Sequence, residues 1–348
     1  MVPGLYVQNG IYNLAVWSYV GGESYWQKLV QIGKKLDQNP EDSSLQKERC
    51  QILYNLVEQV ARFVGSCNAN RLKLKNEYPG YTTDSEKIIS ANKEVFRENI
   101  YKLAKARDNK ELQESLDFYL ERLWDLGDCF NVRKIFVHGD LNPSHIIEEV
   151  LPDGQKQTKI IDGETFRIDD ETTDISSALI IRPLGSNYII RSRELPDLFK
   201  RYLALEHAYE SKDREAITNL QAARNGAFNT YLISRTQMNE EKYSNFVLSF
   251  FAQAITKNIN LAATRKKDDP YNERDAEYLR ELFEEVSHFN SFFNQCTNPT
   301  KVRDFFYLMG KVLHEAKYIT FADDFLYQIK NGTIAGKIET QMPQFSSK

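Results

Sequence analysis

Helical periodicity fills most of this chain and gives way in its middle to one short β-rich stretch; that interruption limits the fold more than any other feature. From Ser44 to about Leu126 apolar residues recur at three- and four-residue spacing, and "LQKERCQILYNLVEQVARFVG" puts Leu45, Ile52, Leu53, Leu56, Val60 and Phe63 on one broad face. A loop, "NANRLKLKNEYPGYTTDSEK", turns at Pro79-Gly80 before helix resumes through "KIISANKEVFRENIYKLAKA" and "ELQESLDFYLERLWDL". After "DISSALIIRP" the pattern is again helical almost to the end, most clearly in "ELPDLFKRYLALEHAYE", "SNFVLSFFAQAITKNINLAAT" and "YLRELFEEVSHFNSFFNQC". Between these halves "RKIFVHGD" opens a β run, and "HIIEEVLPDGQKQTKIID" reads as strand, turn, strand with Pro152-Asp153-Gly154 at the tip. The expectation is an α+β chain, predominantly helical, with a small β insert at about 134–162. Loops held on a rigid scaffold are where function concentrates, which gives such an insert a purpose.

The N-terminal stretch adds a second β feature. "LYVQNGIYNLAVWSYVGG" contains two β-rich runs joined by Asn9-Gly10, a dipeptide suited to a type I′ hairpin turn, and Gly21-Gly22 ends the second run. Ser24 then caps a helix, "YWQKLVQIGKKLDQ", whose shared face holds Trp26, Leu29, Ile32 or Gly33, and Leu36. At the other end, residues 336–348 form a polar tail.

Composition removes several classes of function. The 348 residues are 41% hydrophobic and 27% charged, enough to bury a sizeable core, and a net charge of −4 offers no general attraction for nucleic acid. Four scattered cysteines, Cys50, Cys67, Cys129 and Cys296, form no CxxC pair, which speaks for reduced thiols rather than a disulfide framework or a zinc site. "MVPGLYVQNG" lacks the basic start and apolar run of a signal peptide, and no window has the length of a membrane span. The expectation is a soluble, cytoplasmic protein with no membrane and no nucleic-acid partner.

Chemistry gathers in "FVHGDLNPSHII" and "KIIDGE". Asp140 follows a strand and a glycine, so it projects from a tight turn; Asp162 ends a second strand. Two acids so placed can converge on one cleft, one to accept a proton and one to hold a hard cation. Phosphoryl transfer needs that division: one carboxylate orients the attacking hydroxyl, another holds magnesium against the phosphates.

These elements resemble the aminoglycoside phosphotransferase and choline-kinase-like family, a branch of the protein-kinase fold. The family's H-G-D-x-x-x-x-N loop stands here as "HGDLNPSH", its I-D strand end as "IIDGE", and its following acidic element as "DETTDIS". The resemblance runs in order from about Gly4 to Pro183. It implies Asp140 as catalytic base or hydroxyl-orienting acid, His138 and Asp174 as supports of the catalytic loop, and Asp162 with His145 as metal ligands. The stretch "AVWSYVGGESYWQKLVQIGKKL" is similar to the family's hinge and first C-lobe helix, which would put backbone groups of Ser18, Tyr19 and Val20 against the adenine. The implied cofactors are Mg2+ and ATP or GTP, and the implied partner is a small-molecule hydroxyl acceptor. Residues 1–22 would be a remnant N-lobe hairpin and hinge, and 23–335 a kinase-like helical C-lobe.

Two departures from the family pattern shape the expectations. His145 stands where the family usually has Asn, and an imidazole is a poorer partner than an amide oxygen for magnesium, so a hydrogen bond to Asp140 or to a phosphate is its other role. No glycine-rich loop or strand lysine precedes the proposed hinge. The alternative to an enzyme is therefore a pseudokinase or truncated C-lobe whose open cleft is covered by a protein partner; a start codon further upstream is the third reading. Among other candidates, Asp169, Asp170 and Glu171 read as a solvated acidic turn, and Asp174 as the N-cap of the next helix. Glu164, two residues after Asp162, could assist metal binding, though no motif assigns it that role. His207, His288 and His314 sit singly in helices, the "FVLSFFAQ" and "FNSFF" aromatics read as core, and "TRKKDD" as a solvated charge cluster.

Overall fold

The computed structural model describes residues 5–9, 12–16, 21–71, 73, 93–104, 110–163, 166–179, 194–223, 225–265, 272–322 and 324–333. Strands β1 (Leu5–Asn9) and β2 (Tyr12–Val16) pair antiparallel with Asn9 opposite Tyr12, so Asn9 belongs to the strand and not to the turn expected at Asn9-Gly10. After β3 (Glu23–Ser24) comes α1 (Tyr25–Gln38), which begins where Ser24 predicts. The Ser24 hydroxyl accepts the Gln27 N–H while the Gln27 side chain accepts the Ser24 N–H, a reciprocal cap that satisfies two helix-start donors.

Helix α2 (Ser43–Ala69) is capped by Asp42, whose carboxylate accepts the N–H groups of Ser44 and Leu45. Its buried face centres on Leu53, Leu56, Val57, Val60, Ala61 and Val64; Leu45, Ile52 and Phe63, expected on that face, sit half-buried at its margins. The centre is set by a crossing helix. A Cβ added to Gly65 would lie 2.3 Å from the backbone oxygen of Glu206, so the two backbones pass too closely there for any other residue.

Helices α3 (Lys93–Leu103) and α4 (Lys110–Trp124) lead to the β insert. It comprises β4 (Lys134–Val137), the hairpin β5 (Ile146–Val150) and β6 (Lys156–Ile160), and β7 (Arg167–Asp170). Two small antiparallel sheets result, one in the order β3-β5-β6 and the other pairing β4 with β7. The remaining helices are α5 (Thr173–Leu179), α6 (Leu195–Glu210), α7 (Arg214–Gln221), α8 (Asn225–Arg235), α9 (Glu240–Ala263), α10 (Asn272–His288), α11 (Asn290–Gln295), α12 (Pro299–Glu315) and α13 (Phe325–Asn331). The chain is predominantly helical with a few short strands. One continuous core joins the β insert to these helices; Phe246, Phe250, Phe251, Phe289, Phe292 and Phe293 all lie in it, as their helical spacing predicts. No described helix is long and apolar enough to cross a membrane.

Strand β7 corrects the sequence reading. Asp169, Asp170 and Glu171 are not solvated: they are 4%, 1% and 8% exposed. Each carboxylate enters the interior beside a cation: Arg167 lies 2.9 Å from Asp169, Lys134 2.5 Å from Asp170, and Arg133 2.7 Å from Glu171. Three consecutive acids look like a surface turn until β4 is laid alongside, bringing Lys134 at its start and Arg133 just before it, while Arg167 comes from β7 itself.

Candidate functional site

The site begins where β4 stops. His138 is fully buried, and its backbone N–H and that of Gly139 donate to the two oxygens of one carboxylate, Asp174 on α5, at 2.7 and 2.9 Å. Gly139 has φ of +90°, a conformation a side chain would strain, which explains glycine at this point of the loop. The bend it makes carries Asp140 out of the core, and the Asp140 side chain is exposed. The carbonyl of Asp140 accepts the Asn142 N–H at 2.9 Å and the Nδ1–H of His145 at 2.8 Å, so its backbone is held while its carboxylate stays free to turn.

Asn142 shapes the second half of the loop. Its side-chain oxygen accepts the Ser144 N–H at 3.0 Å and starts a short 3-10 turn over Pro143–His145, which delivers His145 to the head of β5. Across the hairpin, Ile146 pairs with Ile160, and the Ile161 N–H donates to the His145 carbonyl at 3.0 Å. Asp162 follows two residues beyond the end of β6, with φ of +65°. Aspartate tolerates that left-handed conformation better than most residues. It turns the Asp162 carboxylate to 3.4 Å from His145 Nε2.

His138 links the two acid-bearing loops. Its Nε2 lies 3.0 Å from the Ile161 carbonyl, which can only accept, so that nitrogen carries the proton. Burial pushes the imidazole pKa down, against the pull of Asp174, and keeps the ring neutral. Phe166 stands edge-on to it at 5.1 Å and stacks against Phe63 at 5.9 Å, closing the inner side of the loop.

Asp174 lies within the first turn of α5 rather than capping it, and its carboxylate is turned back to the loop. Burial raises its pKa; the neighbouring His138 and its N–H, then Lys257, pull in the opposite direction. Lys257 comes from α9, where Nζ donates to the Thr173 carbonyl at 2.5 Å and to the Ser177 hydroxyl. Desolvation pushes its pKa to about 8. Two further α9 residues touch the same segment: Ser249 meets Thr172 at 2.9 Å and Gln253 meets Asp170 at 3.4 Å. Ser249, Gln253 and Lys257 recur every four residues, so one face of α9 lines the strand and helix that hold Asp174. Sequence reasoning missed Lys257 and Asn142. The available signal for Lys257 was its being the sole charge between Tyr243 and Ala263, in a helix whose other charges, Glu240, Glu241 and Lys242, all lie in its first turn.

The structure thus brings Asp140, His145 and Asp162 together: one ligand atom from each lies within 4.8 Å of the others, with Asp140 and Asp162 exposed and His145 half-buried. Ser18, Tyr19, Val20 and Glu164, expected near the nucleotide or metal, lie outside the described residues. Two carboxylates and an imidazole suit a divalent cation, and the exposed position of Asp140 suits contact with a second reactant. A search of curated proteins returns no match. Among family models, one described as the phosphotransferase enzyme family (APH) matches residues 5–217, a span that contains Asp140, His145, Asp162 and Asp174.

Proposed function

The chain belongs to this phosphotransferase enzyme family, and from that premise we propose that its site passes the terminal phosphoryl group of ATP or GTP to a hydroxyl of a small molecule. The observation that carries the reading is the convergence of Asp140, His145 and Asp162 on one exposed point. In this reading Asp162 and His145 hold the divalent ion, and Asp140 faces the acceptor. A bound divalent ion supplies charge neutralisation between the phosphates.

The residues of the chain then do the positioning. The Asp140 carboxylate accepts a hydrogen bond from the acceptor hydroxyl and takes its proton as the new oxygen–phosphorus bond forms and the terminal phosphoryl group's bond to the departing nucleoside diphosphate breaks. Its backbone is clamped by Asn142 and His145, so the carboxylate turns about a fixed point. Asp174 and His138 stand behind it, the first holding the loop peptide and the second tying that loop to Ile161, next to Asp162. Orientation of this kind accounts for a large part of phosphoryl-transfer catalysis, where the protein has little covalent work to do. In the same reading β2 and the residues after it form the hinge, and the helices from α1 onward a kinase-like C-lobe.

Calorimetric titration of the purified protein with Mg2+ and ATP, then Mg2+ and GTP, tests the proposal. Metal-dependent binding that disappears in Asp162→Ala is the expected result. Wild-type protein that binds neither nucleotide, with or without metal, would overturn it.

A further inference from the structure

The charges around Asp140 restrict what can approach it. Resting on the phosphotransfer reading above, we propose that the acceptor is an alcohol bearing an anionic group, a carboxylate or a phosphate, and that the ammonium of Lys257 binds this group while the hydroxyl meets Asp140.

Lys257 differs from the other cations near the loop. Arg167, Lys134 and Arg133 each reach a carboxylate on β7 or on the residue after it. Lys257 has no carboxylate partner among the described residues: its bonds go to the Thr173 carbonyl at 2.5 Å and to the Ser177 hydroxyl, both uncharged. An ammonium has three N–H donors, so one is left over. Asp174 attracts Lys257 without forming an ion pair, and both Asp174 oxygens are taken by the N–H groups of His138 and Gly139.

Its placement ties it to the reacting end of the site. Thr173 and Ser177 belong to α5, the helix whose Asp174 holds the peptide from which Asp140 projects. The Lys257 side chain is half-buried, so protein shields it while solvent still reaches it. Its charge acts on Asp140 as well as on Asp174 and Asp169. Desolvation makes an ammonium without a counter-charge unfavourable, and a bound anion relieves that penalty. Hydrogen bonds between two charged groups are among the strongest polar contacts a site can offer.

A polycationic acceptor finds no equivalent support. Holding several ammonium groups takes accessible carboxylates, yet Asp169, Asp170 and Glu171 are turned into the interior beside their own cations. The face of α9 that meets this segment presents Ser249, Gln253 and Lys257, none of them acidic. The sequence has no Asp or Glu between Asp174 and Glu194. The exposed acids, Asp140 and Asp162, are committed to the reacting hydroxyl and the divalent ion.

An acceptor screen tests the inference, with the full-length protein, Mg2+ and whichever of ATP or GTP binds, read as release of nucleoside diphosphate. Matched alcohols differ only in charge: glycerate and glycerol 3-phosphate, neutral glycerol, and cationic 3-amino-1,2-propanediol, then sugar acids and sugar phosphates against the parent sugars and amino sugars. Anionic alcohols should be preferred, the carboxylate and phosphate arms showing which group is read, and kcat/KM should fall as KCl is raised. Lys257→Gln keeps a donor for the Thr173 carbonyl but loses the charge. It should raise the KM for the anionic acceptor about 10- to 100-fold with much less change in kcat. A role confined to supporting the loop would lower kcat instead, and Lys257→Arg should restore most of the affinity. If Lys257→Gln does not fold, the salt response of the wild type decides, and a kcat/KM insensitive to KCl would overturn the inference. Preference for neutral or cationic alcohols, no anionic alcohol accepted, or a KM untouched by Lys257→Gln would overturn it too and leave the nucleotide site standing. Absence of metal-dependent nucleotide binding would overturn the phosphotransfer reading, and this inference with it.

Discussion

Asp174 accepts the backbone N–H of His138 at 2.7 Å across 36 residues of sequence, and its second oxygen accepts the next N–H, that of Gly139. One buried side chain thereby fixes the peptide from which Asp140 projects. Lys257, reaching in from α9, bonds the same helix through Thr173 and Ser177.

Asp174→Ala strands two buried donors, and the expected loss of stability is about 2–6 kcal/mol, from roughly 1–3 for each unsatisfied group. Asp174→Asn keeps one acceptor and should lose about half as much. Because Lys257 contributes a positive charge to the same carboxylate, Lys257→Met should be less damaging in the Asp174→Asn background than alone. Urea denaturation of the four proteins gives the coupling; strictly additive losses would mean that Lys257 and Asp174 act independently.

Asp140→Asn should separate chemistry from folding. The side chain is exposed and the loop contacts of this residue run through its carbonyl, so stability should stay within about 0.5 kcal/mol of wild type. Phosphoryl transfer to an alcohol found by acceptor screening should fall by about 10²–10⁴-fold, the range associated with a general base. Steady-state rates and a urea curve on the same preparation check both halves, and an active Asp140→Asn protein would remove the residue from the mechanism.

Glu206 makes the fold sensitive to pH. It is 1% exposed, and burial raises its pKa from 4.5 to about 7, against the pull of Arg133 2.8 Å away and with a further push from Glu210 and Glu171. A carboxyl with a raised folded pKa takes up a proton on folding between those two values. Its contribution is fully present below about pH 4.5 and is lost as pH rises through about 7. Stability measured by urea at pH 5.5 and at pH 8 should therefore drop by less in Glu206→Gln than in the wild type. An identical drop in the two proteins would show that Glu206 does not titrate in this window.

Local signals in the sequence were sufficient for much of the scaffold. The α1 helix starts at its expected cap because Ser24 and Gln27 bond within one turn, and the β5–β6 hairpin forms around Asp153-Gly154 because Gly154, with φ of +80°, meets no obstacle there. The positions of Asp140 and Asp162 at strand ends were equally legible, since hydrophobic alternation marks where a strand stops. Asp169, Asp170 and Glu171 were misread for the opposite reason. Their partners Lys134 and Arg133 lie more than thirty residues away, apart from Arg167 two positions from Asp169, and no local pattern records that neighbouring cations will accompany the acids inward.

The amino-acid sequence by itself determined the helical frame, the β insert, the family and the identity of the acids, because each depends on residues within a few positions or on a motif of fixed spacing. Tertiary structure alone decided which nitrogen of His145 carries its proton, that Asp174 holds the loop from behind, and that Lys257 bonds the helix bearing it from 84 residues beyond Thr173. Those properties arise from hydrogen-bond partners and burial, which exist only once distant segments are packed against one another.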